Sequence, residues 1–109
     1  MTSQKEVINF INHFTNNNKR KEVIECFSFG CCYWFAEILF RRFCNDYRCR
    51  IMYDPVVNHW GCEVDRVVYD ITGNVNEKYK WVWWNNYAFE ESSHAERLYR
   101  DCINFQEEE

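Results

Sequence analysis

The chain has 109 residues, of which 47% are apolar, so it can supply the core of one globular domain spanning residues 1–109. Its formal net charge of −4 argues against a broad nucleic-acid surface, because phosphate binding depends on clustered Lys and Arg side chains. No run of residues approaches the roughly 18 apolar positions of a membrane span, and the first residues lack the apolar segment of a signal peptide. We expect a cytoplasmic protein that binds neither nucleic acid nor membrane.

Two helices are predicted in the first half of the chain. Ser3 and Glu6 have the spacing of a capping box, and apolar residues then recur at helical intervals up to Phe14, which predicts an N-terminal helix on the core. Residues 21–29 fit a helix end or a short buried segment equally well and receive no assignment. Residues 31–43 are apolar on nearly every side, and a helix of this kind is buried.

Three strand-like runs follow, at residues 50–53, 59–64 and 66–72. An Asp-Pro pair favours a turn between the first two runs, and a Gly-Asn pair at 73–74 ends the third. This order of strands and turns predicts an antiparallel meander.

The last third of the chain combines an aromatic segment and a helix. Residues 80–84 fit a fourth strand or an aromatic plug, and an exposed part of them would form a binding surface from Trp81, Trp83 and Trp84. A second capping-box pattern predicts a helix over residues 94–105. The predicted fold is therefore α+β, with a small antiparallel sheet packed against a buried central helix and with N- and C-terminal helices.

Seven cysteines lie at positions 26, 31, 32, 44, 49, 62 and 102. In an intracellular protein they should stay reduced, and their odd number prevents complete internal pairing. A structural zinc site drawn from the first six of these thiols is an alternative. We expect free thiols, with no bound metal and no cofactor.

A cysteine pair, Cys31 and Cys32, opens the predicted central helix. The unpaired N–H groups and the dipole of a helix start stabilise an anion, so a thiol placed there favours the thiolate that nucleophilic catalysis needs. Cys32 is the preferred nucleophile, because the four residues after it, Tyr-Trp-Phe-Ala, continue the helix and leave Cys31 in the entering turn. The alternative is a buried structural thiol.

A parity argument connects His59 with Asp70 across the second hairpin. If its loop has two residues, 65–66, then Val64 pairs with Val67 and Asp70 becomes the diagonal neighbour of His59 on the same face. A four-residue loop would place the two directly opposite each other, whereas an odd loop would place them on opposite faces. With an even loop, Asp70 can orient the His59 ring as a base beside a thiol.

Three stretches between residues 30 and 73 carry a resemblance to a known family: Cys32 before Tyr-Trp-Phe-Ala, His59-Trp60-Gly61-Cys62-Glu63-Val64, and Tyr69-Asp70-Ile71-Thr72. They resemble the papain-like clan, most closely its transglutaminase-like branch, in which a cysteine begins a helix, a strand carries His and Glu-Val, and another ends in Asp followed by Thr. The arrangement is also similar to that of small proteins of Gram-positive bacteria and their phages. The resemblance implies that Cys32 is the nucleophile, His59 its base and Asp70 the group that orients the base.

Papain-like proteases also have a Gln shortly before the cysteine, which donates to the oxyanion. Here the corresponding region runs from Glu25 to Ser28, and an ionised Glu25 cannot donate. By resemblance, the donors would be backbone N–H groups around Cys32, helped by Ser28 or Trp60. In the transglutaminase-like pattern the Trp lies two residues after the His, whereas Trp60 directly follows His59 and faces the other way on a strand.

Two functions from different classes follow from these patterns. The first is a small cysteine-dependent hydrolase or acyltransferase that acts through a Cys32 thioester on a peptide, an amide or a protein. The second is a catalytically inactive interaction protein, such as a phage-encoded inhibitor of a host defence enzyme, with Trp81, Trp83 and Trp84 as contact groups.

Overall fold

The computed structural model describes residues 3–16 and 32–100 of the chain. These residues contain four α-helices, numbered in chain order: α1 (Ser3–Asn16), α2 (Cys32–Phe43), α3 (Trp84–Glu90) and α4 (Ser92–Leu98). They also contain five β-strands: β1 (Cys49–Asp54), β2 (His59–Val64), β3 (Val67–Asp70), β4 (Gly73–Asn74) and β5 (Val82–Trp83). The α+β class expected from the sequence is confirmed. None of the helices in these two ranges is long and apolar enough to cross a lipid bilayer.

The five strands form one antiparallel sheet in the order β4-β3-β2-β1-β5. Strands β1, β2 and β3 form the expected meander, β4 adds a short fourth strand to it, and β5 returns to the outer edge of β1. The hairpin between β2 and β3 has the two-residue loop that the parity argument requires, with Val64 paired to Val67. Both loop residues have positive φ, 52° at Asp65 and 76° at Arg66, which is the conformation of type I′ hairpin turns.

Helix α2 packs an apolar stripe on one face of the sheet. Phe35, Leu39 and Phe43 recur at helical spacing and are at most 1% exposed, as expected for a buried central helix. Alternate residues of a strand point to the same face, so each central strand adds every second side chain to this core. The strand residues of the core are Tyr53, Trp60, Cys62, Val64 and Tyr69.

A second, smaller apolar cluster lies on the opposite face of the sheet. Met52 and Val68 alternate with the core-facing residues along β1 and β3, so their side chains point away from α2. They form a cluster with Val75, and Tyr79 and Trp81 pack against it. The sheet is therefore covered by helices on one face and by an aromatic segment on part of the other.

Two long-range hydrogen bonds fasten α1 to the rest of the fold. The Ser3 hydroxyl donates to Asp65 Oδ2 at 2.8 Å, and the Tyr47 hydroxyl donates to Glu6 Oε1 at 3.0 Å. Ser3 and Glu6, the two members of the expected capping box, thus bond to distant residues. The N-terminal helix itself is confirmed, and its apolar side is buried as the spacing predicted.

The aromatic segment near the C-terminal helices differs from its prediction. Gly73–Asn74 forms the short strand β4 instead of ending the sheet. Residues 80–84 form neither one strand nor a plug, because β5 takes only Val82–Trp83 and Trp84 begins α3. The physical reason is tertiary packing, since the Trp84 ring is buried against Tyr53 at a centroid distance of 5.0 Å.

The second capping box is also wrong. Helix α4 begins at Ser92, and its N-cap residue, Glu91, makes no side-chain cap hydrogen bond. The helix predicted over residues 94–105 therefore starts earlier, and its last part, residues 101–105, lies outside the described residues. The unassigned segment 21–29 lies outside them as well.

Candidate active site

Three side chains from three elements meet at one end of the sheet. Cys32 is the first residue of α2, His59 is the first of β2 and Asp70 is the last of β3. Cys32 interacts with His59 and raises the pKa of its imidazole, and His59 Nε2 lies 2.8 Å from Asp70 Oδ2. The structure thus brings together the three residues that the sequence singled out, in the order thiol, imidazole, carboxylate.

The β2–β3 hairpin accounts for the contact between His59 and Asp70. Its register places Cys62 opposite Tyr69, and the alternate positions carry His59 and Asp70 to the other face of the sheet. The two residues are diagonal neighbours on adjacent strands, and at this separation their side chains can form a hydrogen bond. An odd number of loop residues would have separated them onto opposite faces.

Both carboxylate oxygens of Asp70 have hydrogen-bond partners. Oδ2 faces His59, while Oδ1 accepts hydrogen bonds from the Thr72 backbone N–H at 2.8 Å and from the Thr72 hydroxyl at 2.6 Å. Burial raises the pKa of Asp70, but the hydrogen bonds from His59 and Thr72 outweigh burial and hold the pKa below its usual value. The carboxylate is therefore charged and fixed in orientation.

His59 carries a proton at neutral pH in this setting. Its side chain is only 10% exposed, and burial by itself lowers the pKa of the imidazole. Hydrogen bonding and electrostatic interaction with Asp70 and Cys32 outweigh burial and raise the pKa of His59 to about 9. An imidazolium beside a sulfur favours the thiolate of that sulfur.

Two aromatic rings pack against the His59 ring. The centroids of Tyr79 and Trp81 lie 4.9 Å and 6.0 Å from the His59 centroid. Trp81 Nε1 donates to the Val75 carbonyl oxygen at 3.1 Å, which fixes the indole. Gly61 makes room for this ring, because a Cβ at that position would lie 3.0 Å from Trp81 Cη2. These contacts restrict rotation of the imidazole and exclude water from part of its surface.

A second buried carboxylate, Asp54, holds the segments on either side of His59. Its Oδ1 accepts from the Val56 N–H at 2.8 Å, and its Oδ2 accepts from the Lys80 N–H at 2.9 Å. The first bond shapes the turn that precedes His59, with which Asp54 is paired across the sheet. The second bond anchors the segment that carries Trp81 next to the imidazole.

The suggested oxyanion donors Trp60 and Ser28 are not shown beside Cys32. Trp60 is 3% exposed and belongs to the core-facing set, and Ser28 lies outside the described residues. The ring contacts of Trp60 within the described ranges are with Tyr33, Tyr53 and Trp84. Trp60 Nε1 is buried without a hydrogen-bond partner, but no contact among the described residues puts it beside Cys32, so its role as an oxyanion donor stays a prediction.

The three tryptophans expected to form one binding surface differ in their exposure and in their contacts. Trp81 packs against His59, and Trp83 is 36% exposed with the Arg50 guanidinium 5.4 Å from its ring centroid. Trp84 is only 2% exposed. The expectation of a surface shared by all three is wrong for Trp84, because α3 begins at this residue and its ring lies in the core.

Sequence reasoning missed the groups that support this site, namely Thr72, Asp54 and Tyr79. The first two had a local signal, because Asp side chains often accept from a backbone N–H two residues later. Asp70 accepts from Thr72 in this way, and Asp54 from Val56. Tyr79 had no such signal, because it is distant from His59 in the sequence and contacts the His59 ring only in the folded structure.

Within residues 3–16 and 32–100, no group of three or more His, Cys, Asp or Glu side chains is arranged to hold a metal ion. The cysteines in these ranges, Cys32, Cys44, Cys49 and Cys62, are free thiols. Cys26 and Cys31 lie outside the described residues, so a zinc site that includes them stays an untested alternative.

The chain matches no protein-family model, no curated protein sequence and no solved structure. What the site can do is therefore inferred from its own geometry and charge.

Proposed function

We propose that this chain is a small cysteine-dependent hydrolase or acyltransferase that acts through a thioester at Cys32. The observation that supports this function is the 2.8 Å contact through which Asp70 orients His59, next to a Cys32 that raises the pKa of the imidazole. A thiol that only packs in the structure does not need an adjacent imidazolium whose second nitrogen is hydrogen-bonded to a carboxylate. A nucleophilic thiol gains its reactive form and a proton donor for the leaving group.

Each half-reaction moves one proton through His59. The Cys32 sulfur attacks the carbonyl carbon of a peptide or amide, and the imidazolium gives its proton to the departing amine, which leaves a thioester. The neutral imidazole then takes a proton from water or from a second amine as that molecule attacks the thioester and releases the Cys32 thiolate. Water as acceptor gives hydrolysis, and an amine gives acyl transfer. Because Asp70 occupies Nε2, the proton exchange uses Nδ1.

Backbone N–H groups at the start of α2 are the oxyanion donors in this proposal. The first N–H groups of a helix have no acceptor within the helix, and α2 begins at Cys32. The helix dipole adds partial positive charge at the same place, where the carbonyl oxygen becomes negative during attack. Neither Trp60 nor Ser28 is then needed for this role.

The rim of the site favours a peptide or protein substrate. The loop between β1 and β2 leads directly into His59 and exposes Val56 by 79% and Val57 by 54%. Exposed apolar side chains beside a reactive centre suit the side chains of a peptide better than a small polar amide. We place the activity in the cytoplasm, where thiols remain reduced.

Selective alkylation tests the proposed function. A limiting amount of iodoacetamide at neutral pH, followed by trypsin and mass spectrometry, should label Cys32 before Cys44 and Cys49. Cys26 and Cys31 share the tryptic peptide 22–41 with Cys32, so fragment spectra must distinguish the three. The fast-labelled site should disappear in Cys32→Ala and persist in Cys31→Ala.

Cys44 is the matched control, because it is an exposed free thiol with ordinary access to the reagent. A Cys32 that reacts no faster than Cys44 in folded protein would contradict the proposed function. That result would favour the catalytically inactive interaction protein instead.

A further inference from the structure

The segment 75–81 crosses the face of the sheet that points away from α2. At its start the Val75 N–H donates to the Val68 carbonyl oxygen at 2.9 Å, and near its end the Lys80 N–H donates to Asp54 Oδ2 at 2.9 Å. Both acceptors belong to strands, so the segment is bonded to the sheet near each end. The residues between these bonds are therefore held close to the sheet.

Tyr79 lies between these two bonds and packs on the His59 ring. The centroids of the two rings are 4.9 Å apart, and their planes are inclined by 38°. Trp81 completes the cluster, with its centroid 5.1 Å from that of Tyr79 and 6.0 Å from that of His59. Tyr79 is thus the nearer of these two aromatic neighbours of the imidazole.

The contact has an electrostatic side as well as a steric one. The face of an aromatic ring carries partial negative charge and attracts a cation that lies within about 6 Å of the ring centroid. His59 is such a cation when it is protonated, so Tyr79 favours the imidazolium over the neutral ring. Tyr79 also resists rotation of the imidazole away from Asp70 Oδ2, which lies 2.8 Å from Nε2.

We propose that Tyr79 is a positioning residue of the site, whose ring holds the His59 imidazolium in place beside Asp70 and Cys32. The proposal deepens the function proposed for Cys32 and rests on it, because positioning has a catalytic consequence only if His59 acts on the thiol. Loss of the ring disfavours the thiolate–imidazolium pair, which is the reactive form of the nucleophile.

Other ionisable groups act on the same contact. Asp70 and Cys32 raise the pKa of His59. The Lys78 ammonium lies 5.5 Å from the centroid of the tyrosine ring and competes for it, although solvent screens this exposed charge. Asp54 is paired with His59 across the sheet, and both of its oxygens accept from backbone N–H groups. Substitution at position 79 leaves all of these groups in place.

Titration of the His59 ring by NMR tests the role with two variants at one position. Tyr79→Leu removes the aromatic face and keeps an apolar side chain, so the pKa of His59 should fall by about 0.5, a change of about threefold in the protonation equilibrium. Tyr79→Phe keeps the face without the hydroxyl and should titrate as the wild type does. Alkylation of Cys32 at neutral pH should slow by a similar factor in the Leu variant alone. Tyr79 is half-buried, so both variants should fold.

The same titration in a Cys32→Ala background separates this inference from the proposed function. The effect of Tyr79→Leu should persist there, because the ring acts on the imidazole and not on the thiol. A wild-type Cys32 that reacts faster than Cys44, together with a His59 pKa that Tyr79→Leu leaves unchanged, would overturn the role of Tyr79 and leave the proposed function standing. Equal shifts in the Leu and Phe variants would also overturn it, because the hydroxyl and not the ring face would then act.

Discussion

Cys32 and Cys49 are alike in position and differ in partner. Each begins a secondary-structure element, each is half-buried, and each interacts with a neighbouring ionisable side chain. Cys32 meets an imidazole that Asp70 orients, whereas Cys49 meets a thiol in the core. The comparison teaches that the partner decides what a thiol of this kind is suited for, since an imidazolium can transfer a proton during acyl transfer and a buried thiol with a raised pKa cannot.

Replacing His59 with Gln should have the largest effect on the difference in reactivity between Cys32 and Cys49. Gln cannot carry the positive charge or transfer a proton, so alkylation of Cys32 should slow by about 100-fold, the lower range for loss of a positioned acid–base group. Cys49, at the other end of the hairpin, should react at its wild-type rate. Both rates come from the same digested sample by mass spectrometry. An unchanged Cys32 rate would contradict the role of His59, and equal slowing of both thiols would point to altered folding.

The raised pKa of His59 also predicts a pH-dependent stability. Because the pKa is about 9 in the fold against 6.5 in the unfolded chain, the stabilisation is complete below about pH 6.5 and is lost as the pH rises through 9. Between these pH values the wild type should lose about 2 kcal/mol more unfolding free energy than His59→Gln. Urea denaturation of both proteins at each pH measures the difference, and an equal loss in both would exclude the effect.

Asp70→Asn should lower the reactivity of Cys32 by about tenfold, which corresponds to one charged hydrogen bond of roughly 1.5 kcal/mol. The Asn oxygen can still accept from Thr72, but its amide then faces His59 Nε2 and requires that nitrogen to accept. The tautomer that results carries its proton toward the thiol and cannot act as the base. Alkylation rates measure the effect, with melting temperature as the control for folding.

The shape of Asn matches that of Asp, so we expect this variant to fold. Should Asp70→Asn unfold the protein while wild-type Cys32 reacts no faster than Cys44, Asp70 would be a structural capping residue. The enzyme proposal would then fail.

Thr72→Val should have the smallest effect of these changes. It removes the hydroxyl that donates to Asp70 at 2.6 Å and keeps the backbone N–H bond of 2.8 Å. The carboxylate stays charged but turns more freely, so Cys32 should react about threefold more slowly. Thr72→Ser, which retains a hydroxyl, is the matched control and should react as the wild type does. Equal rates in Val and Ser variants would show that the hydroxyl does not position Asp70.

Local sequence information was sufficient for the geometry of the hairpin and for the start of the central helix. The two-residue turn at Asp65 and Arg66 sets the parity, and parity alone puts His59 and Asp70 on one face. The apolar run after Cys32 predicts a helix whose first residue is that thiol. These features depend on neighbours in the chain, which is why sequence patterns could predict them.

The remaining features depend on contacts between distant residues. Tyr79 packs on His59 only because Asp54 anchors the segment that carries it, and no local pattern encodes that bond. Trp84 was expected at a surface, but burial against Tyr53 draws it into the core. The Ser3 hydroxyl likewise donates to Asp65, a residue far along the chain, and the capping-box spacing did not predict this bond.

Titration of the His59 ring by NMR tests most directly whether thiol, imidazole and carboxylate act as one unit. The chain has three histidines, so His59→Gln identifies the resonance. In the wild type the ring should titrate with a pKa of about 9. Cys32→Ala and Asp70→Asn should each lower that pKa, because each removes an interaction that raises it. A wild-type ring that titrates near the ordinary 6.5 and does not respond to Cys32→Ala would contradict the coupling.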